Sequence, residues 1–285
     1  MDAVKIGIIG GSGIYDIEGL NDVKMIEVDT PFGRPSDKVL VGTLAGVRFA
    51  FLPRHGRGHR VSPSQLNFRA NIYALKKIGV EKIISISAVG SLKEELRPRD
   101  FVIPDQLFDR TKNRVSTFFD EGIVAHVGFA DPFCPDLSQL SYSVAREIGI
   151  SVHKTGTYVC IEGPQFSTRA ESHVYRKLGF SIIGMTNIPE AKLAREAEMC
   201  YVTVALVTDY DVWKEDEEVD VEKIMANLRA NTENAKKFIK TLLPKLDHQH
   251  RCECRNALAG AIVTSKDAIP KQTINKLKLL IEKYI

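Results

Sequence analysis

Lys5-Ile6-Gly7-Ile8-Ile9-Gly10-Gly11-Ser12-Gly13 is the stretch that decides the fold class. Its apolar run reads as a strand covered on both faces, and the glycines that follow let the chain turn sharply where the strand ends. Runs of the same kind recur at 38–42, 47–52, 82–87, 101–103, 156–161, 181–185 and 201–207. Helical patterns lie between many of them. Residues 64–78 carry Phe68, Ile72 and Leu75 on one face with Gly79 as a stop, and 136–148, 167–178 and 189–199 are similar. In 221–242, Ile224, Leu228, Ala235, Phe238 and Leu242 fall at helical spacing. This alternation predicts a single α/β domain on a largely parallel or mixed sheet. The polar stretch 247–255 separates a body, 1–246, from a C-terminal segment, 247–285, in which Ile274, Leu277, Ile281 and Tyr284 line one side of a Lys-rich helix.

A chain of 285 residues that is 44% hydrophobic and 26% charged can bury a sizeable core, and its net charge of +3 gives no strong field for nucleic acid or a membrane surface. Small molecules are the expected partners. The first residues are too short for a signal-peptide core and no run of about 18 apolar residues occurs, so a cytoplasmic location is expected. Cys134, Cys160, Cys200, Cys252 and Cys254 are too sparse for a secreted disulfide scaffold and lack the paired spacing of zinc ligands. They read as buried or free thiols, and no metal site is expected.

Several loops carry phosphate chemistry. The glycines around Ser12 let backbone amides approach an anion, and the hydroxyl adds a donor. A dinucleotide fingerprint fails, because the sixth position counted from Gly11 is Asp16, and a Walker lysine is missing. Arg54-His55-Gly56-Arg57-Gly58-His59-Arg60 follows a strand end and offers a planar guanidinium fork beside an imidazole, although it also reads as a solvated basic loop. Ser87-Ala88-Val89-Gly90-Ser91 and Met185-Thr186 bring hydroxyls to later strand ends. Ligands of open α/β sheets gather at the carboxyl ends of strands, so Ser12, Arg54, His55, Ser87 and Thr186 are candidates to meet one anion. In Thr208-Asp209-Tyr210-Asp211 the two carboxylates point the same way if the strand continues, as a proton donor and an acceptor for one ligand would. If the strand breaks there, Asp211 caps a turn instead.

Taken in order, these stretches, with Ile161-Glu162-Gly163-Pro164-Gln165-Phe166-Ser167 and Gly184-Met185-Thr186, resemble the methylthioadenosine phosphorylases of the trimeric purine nucleoside phosphorylase family. The resemblance runs from residue 4 to about 263. It implies a mixed, partly closed sheet surrounded by helices, assembly as a homotrimer or a dimer of trimers, and phosphorolysis of 5′-deoxy-5′-methylthioadenosine with phosphate as co-substrate and no cofactor. Phosphate would be held by Ser12, Arg54, His55, Ser87, the backbone at Ala88, and Thr186. Phe166 would cover the purine with Ser167 beside it, Met185 would lie against the ribose, and Asp209 and Asp211, flanking Tyr210, would meet the adenine edge. Asp209 would protonate the leaving purine. Val221, Ile224 and Met225 match the positions of a methylthio pocket, and their spacing also suits ordinary core. His126 would reach a neighbouring subunit's site. Cys134 and Cys200 resemble a bridged pair of archaeal relatives, and Cys252-Glu253-Cys254 resembles their Cys-x-Cys element. Gln165 stands where the family usually has Arg. A broader adenosine or 6-oxopurine phosphorylase is the nearest rival and a nucleoside-binding protein without turnover the next, while the failed glycine spacing opposes an NAD-dependent oxidoreductase.

Overall fold

The computed structural model describes residues 4–11, 13, 16–214, 221–246 and 252–285. Its centre is four parallel strands in the order β4 (Val47–Pro53), β1 (Ile6–Gly10), β5 (Lys82–Ser91) and β11 (Cys200–Asp209). Side chains alternate across a strand, so Ile6 and Ile8 enter one hydrophobic cluster and Ile9 the other. Both faces are covered by helices, which is why these segments read as nearly unbroken apolar runs. One face packs against α1 (Phe68–Lys77), α4 (Asn187–Glu196) and α6 (Lys271–Ile281), and the other against α2 (Pro135–Glu147) and α5 (Val221–Leu242).

Antiparallel β3 (Val39–Leu44) and β2 (Asn21–Ile26) extend the sheet beyond β4. On the other side the sheet forks. β5 outruns β1, whose pairing ends at Ser85, and while β11 stays beside it as far as Gly90, its end pairs through Gly90 and Ser91 with antiparallel β10 (Ile182–Gly184), followed by β9 (Thr157–Ile161) and β7 (Gln106–Arg110). The short β6 (Phe101–Val102) joins β11, and β8 (Val152–His153) joins β6. The sheet is therefore mixed and open, and the carboxyl ends of its four parallel strands face one hollow at the fork.

The sequence pattern did not predict β2 and β7, whose residues are mostly exposed and polar at the sheet edges. Residues 64–67 fall outside α1 because Asn67 caps it, its side chain accepting from the Ala70 amide, after a 3-10 turn at Pro63–Gln65. α3 (Arg169–Lys177) starts at a reciprocal cap between Thr168 and Glu171. The tail helix docks on the body, as its apolar side suggested, with Leu277, Leu280 and Ile281 sharing a cluster with Ile72 and Leu75. Among the described residues no helix is long and apolar enough to cross a membrane. The cysteines depart from the sequence reading, because folding brings four of the five together.

Candidate active site

A cavity of about 430 Å³ opens at the fork, lined from the ends of β1, β4, β5, β10 and β11 and from one face of α5. Arg54 is the first residue past β4, buried, and four of its five N–H groups are already engaged. Nε donates to Glu190 Oε2 at 2.9 Å, Nη2 to Glu190 Oε1 at 3.0 Å and to Ser85 Oγ at 2.7 Å, and Nη1 to the Ile86 carbonyl at 2.9 Å. One Nη1 hydrogen remains for the cavity. Glu190 is itself held, with the Ser85 hydroxyl donating to it at 2.6 Å and the Tyr201 hydroxyl at 2.7 Å from Oε1. The guanidinium is thus fixed and its charge largely balanced before any ligand arrives.

Around it stand Gly11, Gly13, His55, Ser87 and Thr186. Ser87 Oγ is 3.3 Å from Thr186 Oγ1 and 3.4 Å from the Tyr158 hydroxyl, so the two cavity hydroxyls form a pair. His55 Nδ1 lies 2.8 Å from the Val61 carbonyl, which can only accept, so that nitrogen carries the proton. Burial, reinforced by the Arg54 and His59 charges, lowers the His55 pKa to about 4, leaving a neutral ring with Nε2 as an acceptor. Gly13 shows what the glycine loop is for: a Cβ there would stand 2.8 Å from Thr232 Cγ2, so the missing side chain lets α5 close one wall.

Across the cavity lie the two carboxylates. Asp209 accepts from the Thr208 hydroxyl at 2.7 Å and, through Oδ1, from the Asp211 amide at 2.8 Å. The strand breaks after it and Asp211 adopts φ +54°, so the pair converges through a turn and not through strand periodicity. Gly90 makes room, since a Cβ at that position would lie 3.1 Å from Asp209 Oδ1 and 3.0 Å from Ile183 Cγ2. Burial raises the pKa of Asp209, with the Thr208 hydroxyl and the Asp211 amide opposing. Burial likewise pushes Asp211 up to about 6, and the Asp209 charge adds to the shift. Two buried polar atoms here, Asp211 Oδ2 and Ser167 Oγ, make no hydrogen bond within the chain. Orphaned polar atoms on a cavity wall are ready partners for a ligand.

Phe166 overhangs the cavity with 65% of its surface exposed. Met185 is braced from behind by Arg114, which donates to the carbonyls of Met185 at 2.8 Å, Ile188 at 2.6 Å and Glu162 at 2.7 Å, and to the Glu162 carboxylate at 3.0 Å. That arginine secures the loop on which Gln165 stands exposed. The remaining wall is largely apolar, formed by Ile224, Leu228 and Ala235 of α5 with Leu206, and by Thr232, whose hydroxyl donates to the Leu228 carbonyl at 2.8 Å.

The structure therefore brings Arg54, His55, Ser87, Ala88, Phe166, Ser167, Met185, Thr186, Asp209, Asp211 and Ile224 to one cavity. Tyr210 turns away, its hydroxyl 3.3 Å from the Glu94 carbonyl, and Met225 stands 44% exposed outside the lining. Ser12 and the Val221 side chain lie outside the described residues. His126 is outside its own chain's cavity, its amide bonded to the Ala261 carbonyl at 2.9 Å. Glu190, Ser85, Tyr201 and Arg114 were missed. Each works through another residue, so none stands in a recognisable motif.

The phosphorylase superfamily pattern matches residues 5–244. The S-methyl-5′-thioadenosine phosphorylase of Koribacter versatilis (strain Ellin345) is 58% identical over 281 residues, covering 98% of this chain and 96% of that protein. A crystal structure of a methylthioadenosine phosphorylase from an antarctic soil metagenomic library superposes with a TM-score of 0.94 at 49% identity, over 98% of this chain and 99% of the other. The Schistosoma mansoni methylthioadenosine phosphorylase in complex with adenine gives a TM-score of 0.85 at 36% identity, over 93% and 99% of the two chains.

Proposed function

Because the chain belongs to the phosphorylase superfamily, we propose that its cavity carries out phosphorolysis of 5′-deoxy-5′-methylthioadenosine, giving adenine and 5-methylthioribose 1-phosphate. One observation carries this reading: a fixed guanidinium and paired hydroxyls face two buried carboxyl groups of raised pKa across a cavity with an apolar end. Phosphate occupies the first side, on the free Arg54 N–H, Ser87, Thr186 and the backbone at Ala88 and the glycine loop. Neutral His55, accepting through Nε2, suits an anion that still carries a proton. Adenine lies under Phe166 with its edge on Asp209, Asp211 and Ser167.

The chemistry follows from that placement. As the glycosidic bond lengthens, the sugar acquires oxocarbenium character and the purine becomes negative. Phosphate provides both the attacking oxygen and an adjacent negative charge. Glu190 balances Arg54, so the site holds phosphate by directed hydrogen bonds without cancelling that charge. Asp209 delivers a proton to the five-membered ring of the leaving adenine, which burial makes feasible by keeping its carboxyl protonated to higher pH. Asp209 and Asp211 together meet the edge that carries the exocyclic amine, and the orphaned oxygen of Asp211 accepts from that amine. Phosphate is a substrate, and the reaction uses no cofactor.

The α5 end favours a methylthio group over a hydroxyl, since Ile224, Leu228 and Ala235 offer no polar partner and the Thr232 hydroxyl already donates to the Leu228 carbonyl. The assembly is read as a homotrimer in which His126 enters a neighbour's site near the sugar's 5′ substituent. Light scattering tests the mass. The activity test compares kcat/KM for methylthioadenosine, adenosine and inosine at saturating phosphate. A clear preference for methylthioadenosine is expected, and equal use of adenosine or inosine would replace this reading with the broader phosphorylase.

A further inference from the structure

Cys134, Cys200, Cys252 and Cys254 reach one point from three distant parts of the chain. Cys134 caps the N-terminus of α2, Cys200 opens β11, and Cys252 and Cys254 flank the start of the 3-10 turn at Glu253–Asn256. Their four sulfurs all lie within 4.8 Å of one another, with Cys134 to Cys252 at 3.8 Å and Cys200 to Cys252 at 2.7 Å. Cys134, Cys200 and Cys254 are buried. In a tetrahedral zinc tetrathiolate, Zn–S bonds of about 2.3 Å set the sulfurs roughly 3.8 Å apart. Cys160 is the contrast, a buried thiol packed alone whose sulfur accepts from the Ile188 amide at 3.4 Å.

We propose that these four sulfurs hold one zinc ion as a structural centre. On binding, the thiols release their protons to solvent and each thiolate donates a lone pair to the metal, with no electron transferred. Four protein ligands fill a tetrahedral ion, so no position is open for catalysis. Asp209 lies at the far end of the ten-residue β11, roughly 30 Å from Cys200, which keeps the centre apart from the reaction. Its work is to fasten the C-terminal segment. The zinc ties residues 252 and 254 to α2 and β11, and the chain beyond them carries α6, whose Leu277 and Ile281 complete the core cluster around Ile72. Two disulfides, Cys134 with Cys200 and Cys252 with Cys254, are the competing use of the same sulfurs. They need no common centre, and the Cys-x-Cys bond closes a small strained ring.

The test is made on the full chain, purified without chelator or reductant from a zinc-replete culture, then given one equivalent of zinc and desalted. Elemental analysis should find about one zinc per chain, and titration in denaturant with chelator should find all five thiols. Cobalt in place of zinc should give the intense visible bands of a tetrahedral cobalt thiolate, a readout that needs no variant to fold. Cys160→Ser should keep the metal, and Cys252→Ser should lose it. A single titratable thiol would mean two disulfides and overturn the proposal. So would five free thiols with no retained zinc.

Discussion

Asp209 tests the proposed chemistry most sharply. Asp209→Asn keeps the shape but has no carboxylic proton, and losing a general acid commonly costs about 10²–10⁴-fold, so kcat for methylthioadenosine should fall by that order. Preference should shift toward methylthioinosine, whose 6-oxo group an amide can meet as a donor; a uniform loss on both substrates would leave the acid role and defeat the specificity role. Asp211 adds a pH signature. Burial pushes its carboxyl up to about 6 in the folded chain, above the ordinary aspartate value of about 3.9, so the folded state holds the extra proton between those values and stability falls as pH rises through them. At neutral pH, Asp211→Asn should therefore stabilise the apoprotein by on the order of 2 kcal/mol, read by urea unfolding, and this gain should vanish below pH 4. Glu190→Gln is expected to act oppositely, since it strands the buried Arg54 charge and should cost about 3 kcal/mol or more. Saturating phosphate should return part of that loss, because a ligand bound only by the native state stabilises it.

At the scale of elements, β11 and α5 shape the side of the site opposite the phosphate donors. β11 places Cys200 at one end and Asp209 at the other, and α5 closes the apolar wall. Leu228→Ala should lower kcat/KM for methylthioadenosine by about 10-fold or more while changing adenosine less, because only the methylthio group needs that apolar surface. An equal loss on both would make Leu228 plain core. Leu228 also shows what sequence reading reaches. The helical spacing of Ile224, Leu228, Ala235 and Phe238 predicts an apolar face, yet only the fold separates cavity from core: Ile224, Leu228 and Ala235 line the cavity, while Phe238 packs wholly inside. Buried strands were readable because both faces are apolar, and edge strands β2 and β7 were not, because solvent leaves their pattern free. The loops Arg54-His55, Ser87-Ala88 and Asp209-Tyr210-Asp211 were readable because ligand chemistry restricts residue type. Glu190 was not, since a carboxylate 136 residues from its arginine has no local signal.

For the whole molecule, the forked mixed sheet matters because it makes one hollow from parallel strand ends and fills its two sides with opposite requirements: donors for an anion and raised-pKa carboxyls for a leaving base. In the proposed reaction phosphate, not water, receives the sugar. The direct measurement runs methylthioadenosine cleavage in phosphate labelled with oxygen-18 at every oxygen and reads the mass of the sugar product. The expected product is 5-methylthioribose 1-phosphate retaining the full label, formed one for one with adenine, with no cleavage when phosphate is omitted. Unlabelled 5-methylthioribose, or adenine released without phosphate, would contradict it.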